Sequence, residues 1–340
     1  MGNNLHADEV AGLDPDMRLA LEKMQAHMAE GPAMGTGTTA EMRARFASLV
    51  AGWNADPPPV ARVEDGTIST ANRDIAVRLY DPVAGGRPHP ALVYFHGGAW
   101  MAGDLDSNDR ALRLLALGSG VSILSAAYCL APEHPFPAPL NECLAVARWV
   151  REHGETLGID VDRLAMGGDS AGANLALAAA LDLRDSGETW LRYLLLICGA
   201  YARDLDTASY RSFGDGRYGF GAAAMETAWS LYAGAAPRGD PRVEPLRAEL
   251  GGLPPVCLVA GGLDPLRDDS RALARRLIDA SGSVEYREYP GVVHGFASMT
   301  RDLAVARRAM LAAAASLRRA LGEVATPPSP AHGVKGDASA

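Results

Sequence analysis

From about Val60 onward the chain alternates short apolar runs of strand length with longer stretches patterned as helices, and this rhythm constrains the fold more than any other feature of its 340 residues. The runs are Ala91 to Phe95, Val121 to Ala127, Arg163 to Gly167, Tyr193 to Ile197, Pro255 to Ala260 and Val284 to Tyr289. Between them lie helix candidates at Asp109 to Leu117, Leu140 to His153, Ala171 to Arg184 and Ser270 to Ala280, and a last one runs from Arg301 to Leu321. Such alternation predicts an α/β fold: a mostly parallel sheet covered by helices on both faces. Ligands of these sheets bind beyond the carboxyl ends of the strands, so the chemistry is to be sought in the turns that follow the apolar runs.

Four segments depart from the rhythm. Two amphipathic helices are expected around Met17 to Met28 and Thr39 to Val50, separated by a glycine-rich stretch and ended by Pro57, Pro58 and Pro59. Ala61 to Ser69 and Arg73 to Tyr80 alternate apolar and polar residues around Ala71-Asn72, which predicts an antiparallel hairpin at a sheet edge. Asp204 to Leu250 is too long for a plain connection and is rich in aromatic residues and glycine, so it is expected to form a lid with the N-terminal helices. After Val324 the sequence is too poor in apolar residues to order itself. The expected division is therefore cap helices over 1–59, a catalytic domain over 60–322 with a cap insertion at about 204–250, and a disordered tail over 323–340.

Composition excludes several classes. A net charge of −9 with no basic stripe argues against nucleic acid as a partner. No apolar stretch approaches the length of a membrane span, and the first thirty residues lack the basic start and apolar run of a secretory leader. Cys129, Cys143, Cys198 and Cys257 stand apart in apolar runs without metal-ligand spacing, and are read as buried, reduced side chains. These features point to a soluble cytoplasmic protein with no stable membrane insertion.

Four turns carry chemistry. Gly168-Asp169-Ser170-Ala171-Gly172 matches G-x-S-x-G between a strand and a helix, where the glycines allow a sharp turn that lifts a serine hydroxyl above the sheet. His96-Gly97-Gly98-Ala99-Trp100 follows the run Leu92 to Phe95, and its small residues leave backbone N–H groups free to face an oxyanion. Of the eight histidines, only His294 lies downstream of Ser170 in the ordered region after a strand, which makes it the general base. The carboxylate that orients it is assigned to Asp264, at the end of a strand and before Pro265, with Asp268 as the alternative. The order Ser, Asp, His is the one expected of α/β-hydrolases.

With HGGAW, GDSAG, DPLRDD and HGF at compatible spacing, and YCLAPEHPFPA from Tyr128 to Ala138, the chain resembles the hormone-sensitive-lipase-like family, the bacterial family IV serine esterases, over roughly Val60 to Leu321. The resemblance implies an eight-stranded α/β-hydrolase core, a helical cap, no metal or organic cofactor, and a homodimer formed through the edge of the sheet. It also implies that the oxyanion donors are the amides of Gly97, Gly98 and Ala171. Two positions depart from the family: Ala99 replaces the usual third glycine and Cys129 stands where arginine is common.

The expected activity is hydrolysis of carboxylic esters through an acyl-enzyme, with a small-molecule ester as substrate. The bounded aromatic insertion suggests short or medium acyl groups. A lactone, amide or carbamate opened by the same serine is the alternative. A binding protein on a dead hydrolase fold is disfavoured because Ser170, Asp264 and His294 are all present. Trp100, Tyr201, Phe213 and Trp229 are candidate pocket walls, as are Tyr210, Phe220 and Met225, and each could equally be packing residues.

Overall fold

A computed structural model describes residues 12–29, 37–70, 73–85 and 88–322. The turn residues Ala71 and Asn72, most of the stretch between the first two helices and the predicted tail over 323–340 lie outside the described residues. The first helices are α1 (Pro15–Ala29) and α2 (Thr39–Asn54). The second begins with a reciprocal cap in which Thr38 accepts from the Glu41 N–H and the Glu41 carboxylate accepts from the Thr38 N–H.

Eight strands follow: β1 (Arg62–Ser69), β2 (Asp74–Asp81), β3 (His89–Phe95), β4 (Ser122–Ala126), β5 (Ile159–Asp169), β6 (Leu191–Ile197), β7 (Val256–Gly261) and β8 (Val284–Tyr289). They form one sheet in the order β1-β2-β4-β3-β5-β6-β7-β8. The predicted hairpin, β1 and β2, is antiparallel and lies at one edge, and the strands from β4 to β8 are parallel. Interleaved helices are α3 (Asp109–Ser119), α4 (Ala138–His153), α5 (Ala171–Asp185), α6 (Ala208–Phe213), α7 (Ala222–Ala233), α8 (Arg267–Asp279) and α9 (Ala304–Leu321).

The period of two along the strands sorts side chains between two cores. Ala91, Val93 and Phe95 of β3 pack with residues of α4, α5 and α8, whereas Leu92 and Tyr94 pack with residues of α3, α9 and α1. With both faces covered, β4 and β7 read as continuous apolar or small runs, as do β3 after His89 and β6 after the exposed Arg192, β7 being wholly buried as Val-Cys-Leu-Val-Ala-Gly. Strand β5 is longer than the predicted Arg163 to Gly167, because Gly168 and Asp169 continue the ladder opposite Phe95 and Ile197. The segment 204–250 holds α6, α7 and a short 3-10 turn at Pro245–Arg247. No helix among the described residues is long and apolar enough to cross a membrane.

Candidate active site

The loops after β3, β5, β7 and β8 meet at the carboxyl edge of the sheet. Ser170 joins β5 to α5 with φ 52° and ψ −117°, a region that L-residues rarely occupy, and its N–H is tied to the Ile197 carbonyl at 2.8 Å. The turn closes only on glycine at its ends: a Cβ on Gly172 would strike the Phe95 carbonyl oxygen, and one on Gly168 would strike that same oxygen. The sharp turn points Ser170 Oγ toward His294, whose Nε2 lies 3.0 Å away.

His294 Nδ1 lies 2.9 Å from Asp264 Oδ2. Asp264 is fully buried, and its Oδ1 accepts from the Leu266 N–H at 2.8 Å, so both carboxylate oxygens are held. A carboxylate acceptor at Nδ1 fixes the proton there and leaves Nε2 free to accept from the serine. The alternative acid is placed elsewhere: Asp268 accepts from the Ser209 N–H and pairs with Arg267 and Arg271. Burial alone would lower the His294 pKa, but the charge of Asp264 and its hydrogen bond outweigh it, so the imidazole titrates above its ordinary value.

Donor atoms of Cys198, Asp264 and His294 lie within 4.8 Å of one another, the one set among the described residues close enough to converge on an ion. Two of its members are already bonded to each other within the Ser170 chain, and burial beside Asp264 pushes the Cys198 thiol well up. All four cysteines are unpaired and buried.

The loop after β3 corrects one expectation. Gly97 does not offer its amide to a substrate, because that N–H donates to Asp169 Oδ1 at 2.9 Å. The same oxygen accepts from Tyr94 Oη at 2.8 Å and Asn108 Nδ2 at 3.0 Å. Beyond Gly97 the backbone turns left-handed, with φ of 123° at Gly98, 54° at Ala99 and 59° at Trp100. A Cβ at Gly98 would collide with the Ala102 carbonyl, whereas alanine is accommodated next to it. The amides of Gly98, Ala99 and Ala171 have no acceptor among the described residues. His96 supports the loop from beneath, its ring stacked on Tyr128 at 4.5 Å while Tyr128 Oη donates to the His96 carbonyl.

Asp169, Tyr94 and Asn108 are the site residues that sequence reasoning missed. The available signal was the variable position of G-x-S-x-G, where an acid beside a nucleophile invites the question of what it accepts from. Burial raises the Asp169 pKa against the hydrogen bonds that lower it.

The predicted pocket walls need a second correction. Trp100 is fully buried, stacked on Tyr232 at 4.5 Å and tilted against Trp229 at 4.3 Å. Tyr201 is also fully buried, and Trp229 nearly so. Phe213 is half-buried, edge-on to Tyr218 and beneath the Arg267 guanidinium. None of the four borders the small cavity beside Ser170, of about 10 Å³, which is lined by residues including Tyr94, Asn108, Cys198, His294 and Ser298. Trp100, Tyr201 and Trp229 are packing residues, whereas Phe213 keeps part of its surface exposed. The aromatic that reaches the histidine is Phe220, whose ring stacks on His294 with centroids 4.9 Å apart and planes at 25°.

A parallel sheet with a strained serine turn, a histidine and a buried acid at its carboxyl edge defines the class: an α/β hydrolase. A family model described as the alpha/beta hydrolase fold matches residues 92–298. The chain belongs to that family, and within it to the hormone-sensitive-lipase-like esterases. It is 35% identical over 269 residues to the carboxylesterase NlhH of Mycobacterium tuberculosis, covering 77% of this chain and 84% of that protein. It is 33% identical over 266 residues to the acetyl esterase of Salmonella typhi, covering 76% of this chain and 80% of that protein. Among solved structures, an α/β hydrolase enzyme from the metagenome of Lake Arreo matches with a TM-score of 0.87 at 37% identity, covering 91% of this chain and 99% of that one. The esterase of Pyrobaculum calidifontis matches with a TM-score of 0.84 at 31% identity, covering 92% of this chain and 100% of that one.

Proposed function

We propose that this protein hydrolyses carboxylic esters of short to medium acyl chain through an acyl-enzyme on Ser170, with His294 as general base and Asp264 as its orienting carboxylate. The observation that carries the reading is the continuous chain from Asp264 Oδ2 through the imidazole to Ser170 Oγ, with links of 2.9 and 3.0 Å. In the first half-reaction His294 Nε2 takes the serine proton as Oγ attacks the ester carbonyl, then returns it to the departing alcohol. In the second, water attacks the acyl carbon, the bond to Oγ breaks, and the proton taken from water passes through His294 to Ser170. The carbonyl oxygen, negative in each tetrahedral intermediate, is held by the free amides of Gly98, Ala99 and Ala171 rather than by Gly97.

Helices α1 and α2 and the insertion at about 204–250 act together as a cap over the rest of the catalytic domain. Arg43 on α2 supports this assignment, donating to the carbonyls of Met101 and Ala131 and pairing with Glu133. A relative named acetyl esterase supports a short acyl group. Four unpaired cysteines fit a reducing, cytoplasmic setting. Two copies would pair through an edge of the sheet, which ends in β1 on one side and β8 on the other.

The test is hydrolysis of p-nitrophenyl esters from acetate to palmitate by the wild type and Ser170→Ala, with a lactone panel alongside. Turnover peaking at short chains and lost in the variant supports the reading. Turnover of lactones alone would move the substrate class, and unchanged turnover by Ser170→Ala would overturn the nucleophile.

A further inference from the structure

Two hydrogen bonds hold the His294 ring by its edges, one to Asp264 and one to Ser170. The second survives only while the serine is free. Once Oγ carries the acyl group it has no proton to donate, the Nε2 contact loses its partner, and the ring is left pivoting on its single bond to Asp264. The step that follows, activation of water, requires the ring to stay where it was.

Phe220 is placed to keep it there. Its ring lies face to face with the imidazole, and among the described residues no other aromatic ring stacks on His294. A face contact resists exactly the rotation that edge hydrogen bonds permit. Phe220 is itself fixed from the other side of the cap: it follows Gly219, whose φ is 90° and where a Cβ would meet Met24 Cε at 3.1 Å and Leu21 Cδ1 at 3.4 Å. Gln25 of α1 donates to the Arg217 carbonyl at 3.1 Å, and Ala222 closes the loop with a bond to the Gly214 carbonyl at 2.8 Å. The opposite end of α1 bonds from Asp14 N–H to the Gly291 carbonyl, three residues before His294, at 2.9 Å. One helix therefore braces both partners of the stack.

We propose that Phe220 is a positioning residue for deacylation, holding His294 in place during the life of the acyl-enzyme, when Ser170 cannot. The proposal rests on the reading of His294 as general base. In that step water adds to the acyl carbon as His294 Nε2 takes its proton, the carbon–Oγ bond breaks, Oγ recovers the proton from His294, and the carboxylic acid leaves. Acylation starts from the doubly tethered histidine and depends on Phe220 far less.

The experiment is stopped-flow and steady-state hydrolysis of p-nitrophenyl acetate by the wild type, Phe220→Ala, Phe220→Leu and Phe220→Tyr, with Ser170→Ala as reference. For Phe220→Ala, kcat is expected to fall about tenfold and KM to fall with it, leaving kcat/KM within about threefold, the signature of slowed deacylation. A burst of p-nitrophenol stoichiometric with sites titrated by a phosphonate should accompany it, and Phe220→Tyr, which keeps the ring face, should restore kcat. If Phe220→Ala does not fold, Phe220→Leu carries the same test with a smaller fall. An equal loss in kcat and kcat/KM at unchanged KM, or an unchanged kcat, would overturn the proposal. Turnover by Ser170→Ala would instead overturn the acyl-enzyme reading itself, so the two failures are told apart.

Discussion

Replacing Asp169 by alanine should disable the oxyanion loop without touching the Ser170, His294, Asp264 chain. Asp169 Oδ1 accepts from Gly97 N–H, Tyr94 Oη and Asn108 Nδ2 at 2.8 to 3.0 Å, so one substitution removes the acceptor of three donors. A hydrogen bond to a charged group contributes about 1.5 to 3 kcal/mol, and contacts that share one oxygen do not add fully, so the expected loss of stability is about 3 to 5 kcal/mol. The catalytic cost arises next door. Gly98 and Ala99 sit in left-handed backbone, a conformation that persists only where the surroundings over-determine it, and the Gly97 tether is part of that constraint. Losing one oxyanion donor outright costs about a hundred- to a thousandfold in kcat, and loosening two should cost about 10- to 100-fold. Asp169→Asn keeps an acceptor in the same place and should stay within about tenfold of the wild type. The assay is kcat for p-nitrophenyl butyrate normalised to phosphonate-titrated sites, with urea unfolding to confirm the native state. A folded Asp169→Ala enzyme with kcat within twofold of the wild type would refute the reasoning, because the loop would then hold its shape without Asp169.

The pH dependence of kcat/KM should report His294. Since Asp264 holds its pKa above the ordinary value, the imidazolium persists to higher pH than for a free histidine, so activity should be lost as pH falls through a midpoint above 6.5, and a midpoint below that value would show the Asp264 contribution to be overbalanced by burial. A second titration belongs to stability. Burial pushes the Asp269 carboxyl up to about 7, against hydrogen bonds from the Tyr201 and Ala202 amides, so the neutral acid is the form that folding favours. Its contribution is therefore complete below the unfolded pKa and is lost as pH rises through 7. Asp269→Asn can keep an acceptor for both amides and should gain stability relative to the wild type between pH 5 and pH 8.5, on the order of 2 to 4 kcal/mol, in denaturant titrations at the two pH values. Equal pH dependence in both proteins would remove Asp269 as the titrating group.

What the sequence disclosed and what it withheld divide along a physical line. Strand and helix positions were legible because period and apolarity are properties of consecutive residues, and the wholly buried β3 and β7 announce themselves as such. The placement of Asp264 beside His294 has a local reason: an acid just before Pro265 and the first turn of α8 accepts the Leu266 N–H, and its second oxygen lies against the histidine. Gly97 was misread for a non-local one. Three small residues in a row declare that backbone amides are accessible, yet which amide remains free depends on an acceptor 72 residues away, at the carboxyl end of β5. The aromatic residues fail in the same manner. Nothing in the spacing of Trp100, Trp229 and Phe220 distinguishes a ring that fills the interior from one that lies on the His294 imidazole, because each outcome is set by packing between segments far apart in the chain. A single long-range contact places each of two residues that spacing alone does not place, Asp169 tethering the Gly97 amide and Phe220 lying on the His294 ring.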